Sequence, residues 1–439
     1  MTVSFSRSDQ GSGWQNADVR TAYKVRVYPA PEQAAVLNRT FGCVRLVWNT
    51  VLAWRQARYR AEGVKTSYAQ TDRYLTELKR DGGHDFLYEV SSVPLQQALR
   101  HQHTAFANFF AGRAKYPRFK SRHGRQSATY TRSAFRWRDG RLYLAKMDAP
   151  LEFVWSWPER DPTTISPTTV TVSRDPDGRW YASFAVETEN ATEPEPAPAT
   201  GSHAGIDLGV SDFAVLSTGK KIRNPRHLER KARNLARYQR RMARKQRGSN
   251  NRAKARAKVA RAHTKVRDAR ADFLHRTSTR LVRDHDLIVI EDLNVKGMIR
   301  NRSLARAISD AGWGEFRRQL EYKTARAGRR LVVIDRWYPS SKTCSACGHL
   351  LTTLSLSTRH WTCPGCGTRH DRDVNAAKNI LAAGRAVSAC GADVSPQGSS
   401  LRRSAVKQEA QPARAGIPRP QAGEEANCFT RRRAGSSVS

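Results

Sequence analysis

Gly205-Ile-Asp-Leu-Gly209 is the stretch on which the fold turns. Alone it is only a strand that carries an acid at its end and then turns. Two later stretches give it weight. Ile288-Val-Ile-Glu-Asp-Leu-Asn294 places an acid at the end of a second buried strand, and His370-Asp-Arg-Asp-Val-Asn-Ala-Ala377 places one at the opening of a final helix over 374–381. Cutting a phosphodiester with two bound metal ions needs several carboxylates converging on one spot. Three strand or helix ends that meet supply them.

Acids in that order are the layout of an RNase H-like α/β fold, in which they meet at one edge of the sheet. There they would hold two Mg²⁺ ions about 3.5–4 Å apart. The expected strands cover 204–208, 212–217, 287–291 and 331–335. Two assignments stay open on the residues alone. Glu291 and Asp292 are adjacent and point to opposite faces of a strand that is apolar on both, so parity does not choose. Asp371 and Asp373 pose the same problem, since either could cap the helix.

The rest of the chain says what would be cut. Over 439 residues Lys+Arg exceed Asp+Glu by 77 − 39 = 38, a charge that calls for a polyanion. Residues 221–270 hold twenty Lys/Arg against Glu229 and Asp268. Leu228, Leu235 and Met242, then Val259, Val266 and Phe273, recur every seven residues on either side of a Gly248-Ser-Asn-Asn251 break. That predicts a basic helical hairpin over 221–285 with a narrow apolar seam. No apolar run approaches the ~18 residues of a membrane span, so a cytoplasmic protein is expected, with neither a membrane nor a small molecule as its partner.

Cys344-Ser-Ala-Cys347 and Cys363-Pro-Gly-Cys366, fifteen residues apart, predict two knuckles that present four thiolates to one structural Zn²⁺. Gly348 and Gly367 follow each second cysteine, where a knuckle turn wants positive φ. The other cysteines, Cys43, Cys390 and Cys428, have no spaced partner.

Before residue 187 the chain reads as a strand at 23–28, a helical region over 31–114 with a break at Gly42, and short β-rich runs to 186. This suggests a small β-barrel with a helical insertion. Residues 187–203, rich in Pro, Glu, Ala and Thr, read as a linker. Residues 1–20 and 386–439 read as disordered. Lys115-Tyr-Pro-Arg-Phe-Lys120 interleaves cations with aromatics, which suits phosphate contact plus base stacking by Lys115, Tyr116, Arg118, Phe119 and Lys120. The competing reading is a solvated loop anchored by Phe119.

Together these residues resemble the TnpB (OrfB) family of transposon-encoded RNA-guided nucleases, related to type V CRISPR effectors. The likeness runs from about residue 21 to 385. It is carried by Tyr116-Pro-Arg-Phe-Lys120, the three acidic stretches, Gly312-Trp-Gly-Glu-Phe-Arg-Arg-Gln-Leu-Glu-Tyr322 and Tyr338-Pro-Ser-Ser-Lys-Thr-Cys344. The resemblance implies a wedge β-barrel (21–30 and 115–186) interrupted by a helical recognition lobe (31–114). A RuvC nuclease domain (204–385) would follow, with a zinc ribbon inserted at 340–370. It implies that Asp207, Glu291 and Asp373 are the catalytic, Mg²⁺-holding acids. It also implies a guide RNA derived from the transposon end, and double-stranded target DNA flanked by a short adjacent motif. A transposase that performs strand transfer, or a repressor that binds without cutting, remains an alternative from sequence.

Overall fold

The computed structural model describes residues 2–3, 19–157, 160–188, 200–355 and 357–389. The expected linker therefore lies mostly outside the described residues, as does the tail from 390 onward.

In the first half, strands β1 (Thr2–Val3) and β2 (Val19–Val27) precede three helices, α1 (Pro31–Glu62), α2 (Tyr68–Arg80) and α3 (Ser92–Phe110). Six strands follow: β3 (Gln126–Thr131), β4 (Phe135–Arg138), β5 (Arg141–Leu144), β6 (Phe153–Val154), β7 (Pro167–Arg174) and β8 (Trp180–Thr188). One antiparallel sheet runs β1-β2-β8-β7-β3, with β6 also on β2, while β4 and β5 form a separate hairpin. Alternation along β2 buries Tyr23, Val25 and Val27. Leu37, Phe41 and Val47 of α1 and Leu95 and Leu99 of α3 join the same core as Tyr23, Val170, Val172 and Phe184. Helices and sheet thus share one hydrophobic interior.

Two expectations fail in this half. The helix does not break at Gly42: α1 is continuous for 32 residues. A mid-helix glycine costs about 1 kcal/mol, and burial of Phe41, Val44 and Val47 against the sheet outweighs it. The N-terminal arm is not disordered throughout. Val19 and Arg20 pair with Thr188 and Glu187, and Thr2 and Val3 pair with Ala22 and Thr21.

The second half begins with β9 (His203–Asp207), β10 (Asp212–Leu216) and β11 (Lys221–Arg223), then α4 (His227–Ala243) and α5 (Asn250–Asp284). Next come β12 (Leu287–Glu291), α6 (Val295–Met298), α7 (Ala305–Ala311), α8 (Trp313–Arg326), β13 (Arg330–Ile334), β14 (His360–Thr362), β15 (Arg369–Asp371) and α9 (Arg372–Ala389). The sheet order is β11-β10-β9-β12-β13. β10 runs antiparallel to β9 and β11, whereas β9, β12 and β13 are parallel. β12 reads Leu-Ile-Val-Ile because both faces are covered. Ile288 and Ile290 meet Leu274, Leu281, Phe316 and Leu320 from α5 and α8, while Leu287 and Val289 meet Ile380 of α9. The final helix continues through Ala389, eight residues past its expected end, so 386–389 belong to the fold.

The basic hairpin forms as α4 and α5. Ser249 caps α5 by accepting from the Arg252 N–H, and Arg252 Nη1 donates to the carbonyls of Met242 and Lys245 at the end of α4. Its apolar seam is thin: Leu235 is the buried residue of α4. Ion pairs of Arg267 with Asp175 and of Arg179 with Asp268 tie the hairpin to the β7–β8 turn. No helix among the described residues is long and apolar enough to cross a membrane.

Candidate active site

Register places the first two acids side by side. Ile206 of β9 lies opposite Ile290 of the parallel strand β12, so the next residues, Asp207 and Glu291, occupy neighbouring rows. Parallel strands sit about 4.8 Å apart and paired side chains point to one face. That face carries α9. A Cβ built on Gly205 would collide with the Ala377 carbonyl oxygen, and would stand 2.6 Å from Leu381 N and 2.8 Å from Leu381 Cβ. Asp207 lies two residues beyond Gly205, and Asp373 one helical turn before Ala377, so both are displaced toward the same end. The three acids meet there.

Their electrostatics agree. Burial, then the Glu291 and Asp373 carboxylates, push Asp207 up to about 7. Burial raises Glu291 as well, opposed by a hydrogen bond from Ser340 whose Oγ lies 2.6 Å from Glu291 Oε1. Arg359 Nη1 lies 3.5 Å from Asp373 Oδ2.

At both open choices, one acid of the pair is engaged by side chains of other elements. Asp292 is held by Arg317 and Arg336. Burial opposes ionisation there, but these guanidinium hydrogen bonds keep it below the usual carboxylate range. Asp371 caps α9, accepting from the N–H groups of Asp373 and Val374, and pairs with Lys221 Nζ at 2.7 Å. Both are paired with cationic side chains, and Asp371 still adds to the upward push on Asp207.

The four cysteines form a cluster whose Sγ atoms all lie within 4.8 Å of one another, and none is disulfide-bonded. A tetrahedral Zn²⁺ with Zn–S near 2.3 Å sets sulfurs about 3.8 Å apart. Cys344–Cys366 at 3.7 Å and Cys347–Cys363 at 3.6 Å fit it. Each knuckle repeats the same bonds: Gly348 N–H donates to Cys344 O, and Gly367 N–H to Cys363 O, with φ of 78° and 68° at the two glycines. His370 Nε2 lies 3.1 Å from Cys344 Sγ, as an outer donor to a metal-bound thiolate would.

Asn375 and Asn379, both buried, join this cluster to the acids. Their amides donate to Thr343 O and Ser340 O, and Asn375 Oδ1 accepts from Ser345 N–H. Sequence reasoning missed Ser340, Asn375 and Asn379. The signal was available: two asparagines spaced i,i+4 on an otherwise apolar helix face must find partners when buried.

The Lys115–Lys120 loop is pinned to α1. Trp48 Nε1 donates to Arg118 O, and Asn49 exchanges two hydrogen bonds with the Lys120 backbone. Pro117 is buried and Phe119 is 54% exposed, so Phe119 is not the anchor. Lys120 Nζ lies over the Trp48 ring at 4.1 Å, and Tyr116 packs edge-on against Phe106 and Phe109. Lys115, Arg118 and Phe119 face solvent.

Comparison with known proteins is consistent across the chain. A family model described as "Probable transposase" (OrfB_IS605) matches residues 183–302, and a "Cas12f1-like, TNB domain" model matches 313–380. A "Helix-turn-helix domain" model of the same OrfB group matches 18–64, which here is β2 followed by the single helix α1. A Streptomyces pristinaespiralis protein named "Putative RNA-guided DNA endonuclease" is 57% identical over 404 residues, covering 91% of this chain and 99% of its own. The InsQ protein of Escherichia coli K12, described in the same words, is 34% identical over 386 residues, 84% of this chain and 94% of its own. A solved Cas12f1-sgRNA-target DNA complex covers 83% of this chain and 99% of its own at TM-score 0.32 and 14% identity, a likeness too distant to bear on the fold.

Proposed function

This chain belongs to the OrfB/TnpB family, and from that footing we propose that it is an RNA-guided DNA endonuclease using RuvC-type two-metal chemistry. The observation that carries the reading is the convergence of Asp207, Glu291 and Asp373 at one end of the mixed sheet. The 3-2-1-4-5 strand order with a reversed second strand supports an RNase H-like domain over 204–385. The sheet of the first half supports the wedge role for 21–30 and 115–186, and its helices the recognition role for 31–114. The charge of +38 supports a guide RNA, here taken to come from the transposon end, paired with a DNA strand and held by its backbone. Lys115, Arg118 and Phe119 are exposed for such contacts, whereas Tyr116 and Lys120 are partly engaged.

Hard carboxylate oxygens suit Mg²⁺. When bound, two such ions would activate a water and stabilise the leaving oxygen. The residues do the rest. Ser340 fixes the Glu291 rotamer, the Asp371 cap fixes the start of α9 and so Asp373, and the Arg317–Asp292–Arg336 cluster keeps a fourth carboxylate out of the way. The closed set of four thiolates, with no open position, supports a structural Zn²⁺ that holds segment 340–345 against α9.

Two outcomes are expected. The purified protein carries one Zn²⁺ per chain by elemental analysis, and Cys363→Ser loses it together with the fold of 340–370. Asp207 near 7 means that Mg²⁺ competes with a proton, since the ion needs the carboxylate and its binding lowers the group's pKa. At sub-saturating Mg²⁺ the single-turnover rate should climb about tenfold per unit below pH 7, and the midpoint should fall as Mg²⁺ is raised. A profile flat from pH 5.5 to 7.5 at low Mg²⁺ would contradict this.

The decisive test uses protein purified with RNA from its own locus, reprogrammed to a plasmid target flanked by randomised sequence, with Mg²⁺. Guide-dependent cuts beside one enriched flanking motif are expected. Binding without cutting would favour the repressor, and joined products without RNA the transposase.

A further inference from the structure

Trp337 is 84% exposed, far more than any other large apolar side chain among the described residues. It is not on a loose segment. Its N–H donates to Asp335 Oδ1 at 2.7 Å, the Tyr338 N–H to Asp335 O at 3.2 Å, and the Ser340 N–H to Tyr338 O at 2.8 Å. Tyr338 packs into the core beneath α9. Both ends of the turn lead to the same acid: Ile334 pairs with Glu291 across the sheet, and Ser340 Oγ bonds the Glu291 carboxylate. Between them Arg336 grips Asp292. Trp337 is three residues from either end, and each end borders Glu291, so its backbone stands within about 15 Å of Glu291.

A rigid turn that lifts an unpaired indole beside an acid cluster keeps an exposed apolar face that hydration disfavours. Water gives it no partner. A nucleobase does, because every base has a π-face and stacking is tolerant of sequence. The adjacent guanidinium of Arg336 and the strong positive charge of the chain favour a polyanionic occupant over an apolar peptide. We propose that Trp337 stacks on a base of the DNA strand entering the acid cluster and sets the register of the scissile phosphate. At about 3.4 Å per stacked nucleotide, its reach places that base within about five nucleotides of the cut. This deepens the nuclease reading and depends on it.

The test uses the full chain with its guide RNA and a matched DNA duplex. In Asp207→Ala protein, which holds DNA uncut, 2-aminopurine is walked through the strand around the cut. Trp337→Ala should raise its emission at one position within about five nucleotides of the cut, and Trp337→Phe should leave it quenched. In otherwise wild-type protein, Trp337→Ala should slow single-turnover cleavage about 5- to 100-fold, with Trp337→Phe recovering most of the rate. An abasic residue at the mapped position should slow the wild type by a similar factor and Trp337→Ala hardly at all. Equal rates for wild type and Trp337→Ala, or a loss identical on abasic and intact DNA, would overturn the stacking role alone. A wild-type complex that cuts nothing would overturn the nuclease reading and this one with it.

Discussion

Asp207→Ala is expected to lower guide-dependent cleavage by about 10³-fold or more while leaving guide and target binding unchanged. Asp207 is the meeting point of the cluster: it ends β9, it is the register neighbour of Glu291, and it feels both other carboxylates. Taking one carboxylate from a two-ion clamp removes several kcal/mol of transition-state stabilisation, and each ~1.4 kcal/mol is tenfold in rate. Binding survives because it belongs to the cations, and the variant only makes the chain more positive. Asp207→Asn, of the same shape, should be as inactive, which separates charge from packing.

The same variant carries a stability signature. A carboxyl near 7 in the folded protein, against about 3.9 in the unfolded chain, binds more protons folded than unfolded between those values. Metal-free wild-type protein is therefore most stable below pH 4 as far as this group is concerned, and it loses that contribution as pH rises toward 7. Asp207→Ala should melt higher than wild type at pH 7.5 without Mg²⁺, and the gap should close on acidification. Wild-type cleavage by Asp207→Ala would sink the two-metal assignment.

Gly205→Ala should be nearly as damaging, although it removes no reactive group. Its new methyl would press on the Ala377 carbonyl and the Leu381 backbone nitrogen. These are backbone atoms inside a hydrogen-bonded helix, so no side chain can swing aside. α9 must lift from β9 or tilt. Either motion carries Asp373 away from Asp207, and a misplacement of about 1 Å in a catalytic constellation costs about 10²-fold. Overpacking of this kind also costs about 1–3 kcal/mol of stability. The check is single-turnover cleavage alongside a melting curve. A rate loss of that size in a protein that is still folded is the expected result, and a wild-type rate would show that α9 does not seat the acid. Gly384 makes the reciprocal approach, since a Cβ there would meet Val289 Cβ at 3.0 Å. Gly384→Ala should act in the same direction but less strongly, because its obstacle is a side chain.

Much of this site could be read locally. Period-two alternation marks β2, an unbroken Leu-Ile-Val-Ile run marks a doubly covered strand, and CxxC spacing with trailing glycines marks the knuckles. These patterns report how a segment buries itself. The failures share one origin. Gly42 looked like a helix break because local propensity opposes it, and only the sheet beneath α1 supplies the burial that overrides it. The competing reading in which Phe119 anchors its loop fails in the same way, because Trp48 and Asn49, some seventy residues earlier, clamp the loop backbone and leave its ring in water.

From the chain alone came an acid at the end of each of two strands and at the head of a last helix, four thiols for one ion, and a charge that demands a polyanion. These follow from residue type and spacing over a few positions. Which of Glu291 and Asp292 faces the cluster, and which of Asp371 and Asp373 caps the helix, required Arg317, Arg336 and Lys221 to be brought in from other elements. Gly205 has its reason in the helix that lies on it. Periodicity states that a face is buried, whereas the identity of the atoms that cover it depends on chain crossings between residues from about twenty-five to well over a hundred positions apart.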